Sequence, residues 1–437
     1  MRAGSLGDVW DRIGASESTP PLFYLLTWGW TKLAGSDGAA ALRTVSALAI
    51  VASVPVAYAA LWRLVGRRAA LATAALAAVS PLLGWYALDA RAYGLLVLTG
   101  LLSVWAFGAA LEEPSPRRLA LWALAAAAAV WTHWFAGFLV LGEMLALLWL
   151  RPRAWRGTQI ASGAALLALI PLIGLLRDQT GDDRAAFITD TGVVDRLQQL
   201  ARQFGAGVNV PRTWLEAAAL ILALAAVAVG TVLATRRARS DSGARALLAL
   251  AGIGLLVPLA LATTGVYDRF NVRNVLYLWP LFAALAAPAL LRLRAVPLAG
   301  LLAIGVATSL WTQTDWRYEN TDWRAASKRI GAPAERDVVV AVTSLGEPVA
   351  ALYLGRTPIG TPVGARHAWL VVEPTRGAGH RDLRPADPPL VARLLAAFPQ
   401  HAETVVHGFR LIELSAPAAV TLDPARLPGA ALLSLAG

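Results

Sequence analysis

Asp89-Ala90-Arg91-Ala92-Tyr93-Gly94-Leu95-Leu96-Val97-Leu98-Thr99-Gly100-Leu101-Leu102 decides the fold. A carboxylate, a guanidinium and a phenol stand at alternate positions and run directly into an apolar segment that continues to residue 111. Uncharged apolar runs of about 20 residues are membrane-span candidates. Ionisable groups at the mouth of such a run are costly there and mark functional sites by default. The alternate spacing suits an irregular turn that points several polar groups into one cavity. In that setting Asp89 can bind a cation or a sugar hydroxyl, and the planar fork of Arg91 matches phosphate oxygens. The plainer alternative is an interfacial Asp89–Arg91 ion pair with Tyr93 as an aromatic anchor.

The rest of the chain repeats the pattern. Hydrophobic residues make up 57% of the 437 and charged residues 15%, against about 25% charged in a typical soluble protein. Mean hydropathy is +0.56. A length that would suggest about three soluble domains therefore belongs to a polytopic membrane protein with some soluble part. The 17 Trp suit the membrane–water interface. With Cys at 0, disulfides, iron–sulfur clusters and thiolate metal sites are excluded.

Spans are expected near 40–62, 69–86, 94–111, 118–132, 134–150, 157–176, 213–234, 246–265, 274–291 and 295–311. The fourth and fifth are short. Pro21 to Leu33 reads as an interfacial or re-entrant helix, being shorter still and carrying Trp28, Trp30 and Lys32. Arg63, Arg67 and Arg68, then Arg117 and Arg118, Arg151, Arg153 and Arg156, Arg236, Arg237, Arg239 and Arg245, and Arg292 and Arg294 fall in loops that strict alternation puts on one side. The positive-inside rule makes that side cytoplasmic. The net charge of +11 is thereby topology rather than nucleic-acid binding. The outer side receives 1–39, the turns around Asp89 and His133, the long loop 177–212, the turn 266–273, and everything after 312.

The domain organisation expected is external amphipathic and interfacial helices over 1–39, a transmembrane domain over 40–312, and an extracytoplasmic α/β domain over 313–437. Met1 to Ser18 is amphipathic, with Leu6, Val9, Trp10 and Ile13 at helical spacing. In the tail, Thr321 or Asp322 caps a helix. Asp337 to Val342, Ala368 to Val372 and Thr404 to Leu414 read as strands, and Glu347 to Leu354 and Pro389 to Phe398 as helices. Such alternation makes a small α/β domain.

Other polar positions face the same outer side. Thr132-His133-Trp134 lies between two short spans; His133 can donate to a phosphate, ligate a metal, move a proton, or simply be a satisfied interfacial histidine. Arg269 and Arg273 oppose the positive-inside trend, so an anion is expected there, either lipid headgroups or a lipid-phosphate substrate. The prolines of Ser18-Thr19-Pro20-Pro21-Leu22-Phe23-Tyr24 fix a bend and a helix start. Glu143, inside a span, requires a partner that the sequence does not identify. No Walker loop, dinucleotide fingerprint or zinc-protease helix motif is present, and no soluble nucleotide-sugar domain is evident. A transferase built this way takes its donor from a lipid.

In order along nearly the whole chain, these segments resemble the bacterial branch of the GT-C glycosyltransferases, akin to protein mannosyltransferases and the aminoarabinose transferase of lipid A. The matching elements are Pro20-Pro21-Leu22-Phe23-Tyr24, Arg43 with Ser46, Ser80-Pro81, Asp89-Ala90-Arg91-Ala92-Tyr93, Thr132-His133-Trp134, Arg273-Asn274 through Tyr277 and Pro280, and Asp322-Trp323-Arg324-Ala325-Ala326. The departures are Asp89 for the usual Glu, Thr19 for a His, and Phe23 for a Tyr. Family members open with a membrane helix and an acidic pair that supplies the base. Ser5 to Ile13 looks like the helix after that pair, so the resemblance implies that the main base lies upstream of Met1.

The resemblance implies an inverting transfer of a sugar from a polyprenyl-phosphate donor to a glycan, lipid or protein acceptor, at the outer face of the plasma or inner membrane. It assigns Arg91 and Arg273 to the donor phosphate, and Tyr93, His133 and Tyr24 to substrate binding. Asp89 would orient the acceptor or hold a divalent metal. The alternative is a non-catalytic lipid-linked-sugar binding or assembly protein that has lost its base. A transporter is disfavoured because no paired repeat is visible.

Overall fold

The computed structural model describes residues 4–180, 188–211, 213–318, 322–331, 338–343, 347–376, 383–385 and 389–434. It divides into two compact units, residues 1–208 with 212–309, and residues 310–437 with 209–211.

The first unit is helical. It opens with α1 (Leu6–Ser16) and α2 (Leu22–Ala34), followed by α3 (Ala39–Val65), α4 (Arg67–Ala78), α5 (Pro81–Ala87), α6 (Tyr93–Glu112), α7 (Pro116–Thr132) and α8 (Ala136–Leu150). Then come α9 (Trp155–Leu167), α10 (Ile173–Thr180), α11 (Val193–Ala206), α12 (Trp214–Arg237), α13 (Ser242–Thr263), α14 (Leu278–Leu290) and α15 (Val296–Thr314). A Ser5 capping box starts α1, whose Val9 and Ile13 are buried.

Among the described residues, six helical spans are long and apolar enough to cross a bilayer, or seven with one bent pair counted as a span. Each of the ten expected segments coincides with a helix or helix pair, but α7, α8 and α14 have only 17, 15 and 13 residues. The bent pair is α4 and α5, which the sequence reading took as one continuous span at 69–86. They meet at 56°, because Pro81 cannot continue a helix and Ser80 instead caps α5 through Leu83 N–H. Likewise the 274–291 segment turns irregularly before α14 begins at Leu278.

Most of α6 is buried. Glu143, 0% exposed on α8, accepts Ser103 Oγ (2.6 Å) from α6 and Trp122 Nε1 (2.8 Å) from α7. One carboxyl oxygen thus ties three helices, which supplies the partners the sequence left open. Close helix approach depends on small residues: a Cβ added at Gly230 of α12 would lie 1.8 Å from the Leu285 carbonyl oxygen of α14.

The second unit is an α/β domain. Its helices are α16 (Trp323–Ile330), α17 (Glu347–Leu354) and α18 (Pro389–Ala397). Its strands are β1 (Val338–Val342), β2 (Thr357–Pro358), β3 (Val363–Val372), β4 (Pro374–Arg376), β5 (Leu383–Pro385), β6 (Gln400–Val406), β7 (Phe409–Leu422) and β8 (Ala430–Ser434). The main sheet has the order β2-β8-β1-β3-β7-β6, with β1 and β3 parallel and the other pairs antiparallel. One face packs Leu390, Val391 and Leu394 of α18 with Phe398; the other packs Trp323, Ala326 and Ala350. Burial on both faces explains the unbroken Val338-Val339-Val340-Ala341-Val342 run.

Asp322 caps α16 through Ala325 N–H (3.0 Å) and its other oxygen meets His407 Nδ1 at 2.8 Å. Thr321, the other expected cap, lies outside the described residues. The single strand expected over 404–414 is a hairpin, β6 and β7. His407 and Gly408 both take positive φ, 47° and 83°, as a two-residue hairpin turn requires.

Candidate active site

The turn between α5 and α6 carries Asp89-Ala90-Arg91-Ala92, with Tyr93 opening α6. Arg91 N–H closes the turn onto the Asp89 carbonyl (2.8 Å), and Ser46 Oγ of α3 donates to the Arg91 carbonyl (3.1 Å). The Arg91 side chain reaches Glu17 Oε2, with Nη2 at 3.3 Å. The same oxygen accepts Tyr24 Oη at 2.6 Å, and Thr19 Oγ1 lies 2.9 Å from that phenol. Gln179 Nε2 donates to the Thr19 carbonyl (3.1 Å), and Trp134 Nε1 donates to Gln179 Oε1 (2.9 Å). These bonds connect Arg91 to Trp134, the link at Thr19 running covalently from its hydroxyl to its own carbonyl.

Asp89 is half-buried. Desolvation raises its carboxyl above the usual range, against the opposing pull of Arg91, Arg273 and Arg43. Its charged neighbours are thus guanidinium groups. Among the described residues no cluster of three or more His, Asp or Glu side chains assembles.

His133 caps the C-terminus of α7 and is 3% exposed. Phe135 N–H donates to its Nδ1 at 3.2 Å, which puts the ring proton of the neutral imidazole on Nε2. Nε2 is buried and makes no hydrogen bond among the described residues. Burial, then Arg273 and Arg91, push the imidazole pKa down to about 3, against a smaller opposing contribution from Asn274. His133 is therefore a neutral N–H donor at physiological pH.

Arg273 comes from the segment between α13 and α14. Its guanidinium stands 5.7 Å from the Tyr93 ring centroid, and the Tyr93 and His133 rings are 5.9 Å apart. The segment is held by Arg196 of α11, which is 2% exposed. Arg196 forks onto Asp268 (2.5 and 2.9 Å) and also donates to the Phe270 carbonyl (2.9 Å). Asn274 Nδ2 adds a bond to the Arg269 carbonyl (2.7 Å).

Tyr93, His133, Trp134, Gln179, Arg269 and Arg273 are among the residues lining a cavity of about 340 Å³. A separate, mainly apolar cavity of about 320 Å³ lies among α4, α11, α12, α14 and α15, with Leu200, Phe204, Trp279 and Phe282 in its wall.

Of the six residues singled out from sequence, Tyr93, His133 and Arg273 line the polar cavity. Tyr24 and Arg91 meet at Glu17 instead. Asp89 shares the turn with Arg91 and is not in the wall. The sequence reading missed Glu17, Gln179 and Arg196. Arg196 had left a signal: it shares the buried face of α11 with Leu200, one turn on, and a charge on such a face requires a partner. Glu17 and Gln179 had no comparable mark.

Residues 18–176 match the family model described as dolichyl-phosphate-mannose-protein mannosyltransferase. The structure is similar to that of ArnT from Cupriavidus metallidurans in the apo state, with TM-score 0.57 and 14% identity over 94% of this chain and 93% of that one. It is also similar to ArnT from the same organism bound to undecaprenyl phosphate, with TM-score 0.55 and 13% identity over 92% and 88% of the two chains. No curated protein sequence gives a significant match. The chain is thus a polytopic membrane protein of the GT-C glycosyltransferase fold, as its ordered motifs implied.

Proposed function

We propose that the chain transfers a sugar from a polyprenyl-phosphate-linked donor to an acceptor at the outer face of the cell membrane, with inversion. The observation that carries this reading is the convergence of the Arg273 guanidinium and the His133 imidazole, whose buried Nε2 makes no hydrogen bond among the described residues, in the wall of one cavity beside Tyr93. A fixed cation and a neutral donor suit a phosphate that gains negative charge as it leaves. Arg91 adds positive potential without lining the wall. The fold it shares with a protein crystallised with undecaprenyl phosphate supports a lipid-linked donor. The apolar cavity accepts part of a polyprenyl tail. Asp89 orients the acceptor, which is a glycan, lipid or protein, and Tyr24 keeps the donor side in shape through Glu17. The α/β unit is extracytoplasmic on this reading, because alternation and Arg placement set it there.

The test is transfer from radiolabelled polyprenyl-phosphate sugars by the protein in lipid nanodiscs. Arg273→Ala is expected to slow turnover by about 10–100-fold, the worth of a charge-assisted contact of roughly 1.5–3 kcal/mol; Arg91→Ala, which removes positive potential rather than a wall contact, is expected to slow it by no more than that. Lys at either position restores part of the loss, since it lacks the fork. Full activity in both Ala variants refutes the phosphate assignment. Donor binding without transfer in the wild type would favour a lipid-linked-sugar binding protein.

A further inference from the structure

Glu17 belongs to no motif of the sequence reading, yet it is where three segments cross. Its Oε2 accepts Tyr24 Oη from α2 at 2.6 Å and Arg91 Nη2 from the α5–α6 turn at 3.3 Å. The backbone two residues on, at Thr19, is gripped by Gln179 of α10, which also accepts Trp134 Nε1 at the start of the α8 region. Thr19, Gln179 and Trp134 line the polar cavity, whereas Arg91 does not. The only connected polar path between Arg91 and that wall, among the hydrogen bonds of the described residues, passes through Glu17.

Arg91 has a long, flexible side chain that is 42% exposed. Left to itself it would sample many rotamers, and ordering it costs side-chain entropy. Its charge bears on His133, as does that of Arg273. Two guanidinium groups acting on one locus repel each other unless a carboxylate or an anionic ligand stands by. Glu17, with its side chain 27% exposed and already accepting two donors through one oxygen, supplies that charge. An ion-paired, doubly hydrogen-bonded carboxylate is a good anchor.

We infer that Glu17 is a positioning residue of the transfer reaction: it fixes the Arg91 guanidinium and locks it to the wall of the sugar-phosphate cavity through Tyr24, Thr19 and Gln179. This inference rests on the function proposed above. It assigns Glu17 no proton transfer and no contact with substrate.

The experiment is steady-state transfer in nanodiscs, varying the donor concentration, with undecaprenyl phosphate binding measured alongside. Glu17→Ala lowers kcat by about 10–100-fold, the loss of one charge-assisted contact, with donor KM within about 3-fold, because the leaving phosphate gains its charge only in the transition state. Glu17→Gln, which keeps an acceptor oxygen for both Tyr24 and Arg91, recovers at least about 5-fold of that loss. The double variant Glu17→Ala/Tyr24→Phe is no slower than Glu17→Ala, since members of one network are not additive. A Glu17→Ala variant with wild-type kcat overturns the inference and leaves the proposed function standing. A Gln variant as slow as Ala also overturns it, because the acceptor oxygen that holds Tyr24 and Arg91 would then be shown not to matter. A wild-type chain that neither binds undecaprenyl phosphate nor transfers sugar overturns the proposed function and this inference with it.

Discussion

Replacing Arg196 by Met keeps an unbranched apolar stem and removes the guanidinium with its charge and donors. In the native structure this guanidinium is 2% exposed and makes three bonds, two to Asp268 and one to the Phe270 carbonyl. Removing one partner of a buried ion pair costs roughly 3–5 kcal/mol. Asp268 keeps 24% exposure and can rehydrate, so the lower end, about 3 kcal/mol, applies. That corresponds to roughly a 150-fold change in an equilibrium constant. The strain falls on the segment from Tyr267 to Asn274, to which α11 is tied among the described side-chain hydrogen bonds by this clamp. Hydrogen exchange read by mass spectrometry on peptides covering that segment should therefore accelerate by about two orders of magnitude in Arg196→Met, while the α6 core stays protected. Transfer activity falls with it, because Arg273 loses its seat. Arg196→Met combined with Asp268→Asn should recover part of the protection, since no uncompensated carboxylate remains. Unchanged exchange in the single variant would show that the fork does not hold the segment, and the account of how Arg273 is placed would fail.

His133, with its pKa depressed to about 3 from an ordinary 6.5, binds fewer protons folded than unfolded. Its contribution to stability is therefore full above about pH 6.5 and is lost as pH falls toward 3. Thermal melts at pH 7 and 5 should show a larger acid loss in wild type than in His133→Gln, and equal losses would refute the neutral assignment. Asp89 shifts the other way, so its penalty grows as pH rises through its titration. Asp89→Asn is expected to melt higher than wild type at pH 8 and to gain little at pH 4, while transferring sugar more slowly. Gly230→Ala should destabilise the helical unit by roughly 1–3 kcal/mol through overpacking against α14, whereas Gly29→Ala, with open space around it, should be neutral in the same melts.

Composition and hydrophobic run length by themselves determined that this is a multi-span membrane protein with an α/β tail, because both are properties of local segments. The order of short motifs pointed to the GT-C fold for the same reason: each motif is contiguous, and Tyr93, His133 and Arg273 stand in such motifs and do share a cavity. What lies between segments was not written locally. The α4–α5 bend could be suspected from Pro81, but the 56° angle depends on packing. The β6–β7 turn hid in His407-Gly408, where an apolar alternation on both sides reads as one strand until the positive φ values are seen. Tertiary structure alone decided which carboxylate meets Arg91. By sequence distance Asp89, two residues away, was the obvious partner. The described bond goes to Glu17, 74 residues away, because the α5–α6 turn uses its backbone to bind itself and α3, and the Arg91 side chain is left to reach a group that only the folding of α1 and α2 brings near.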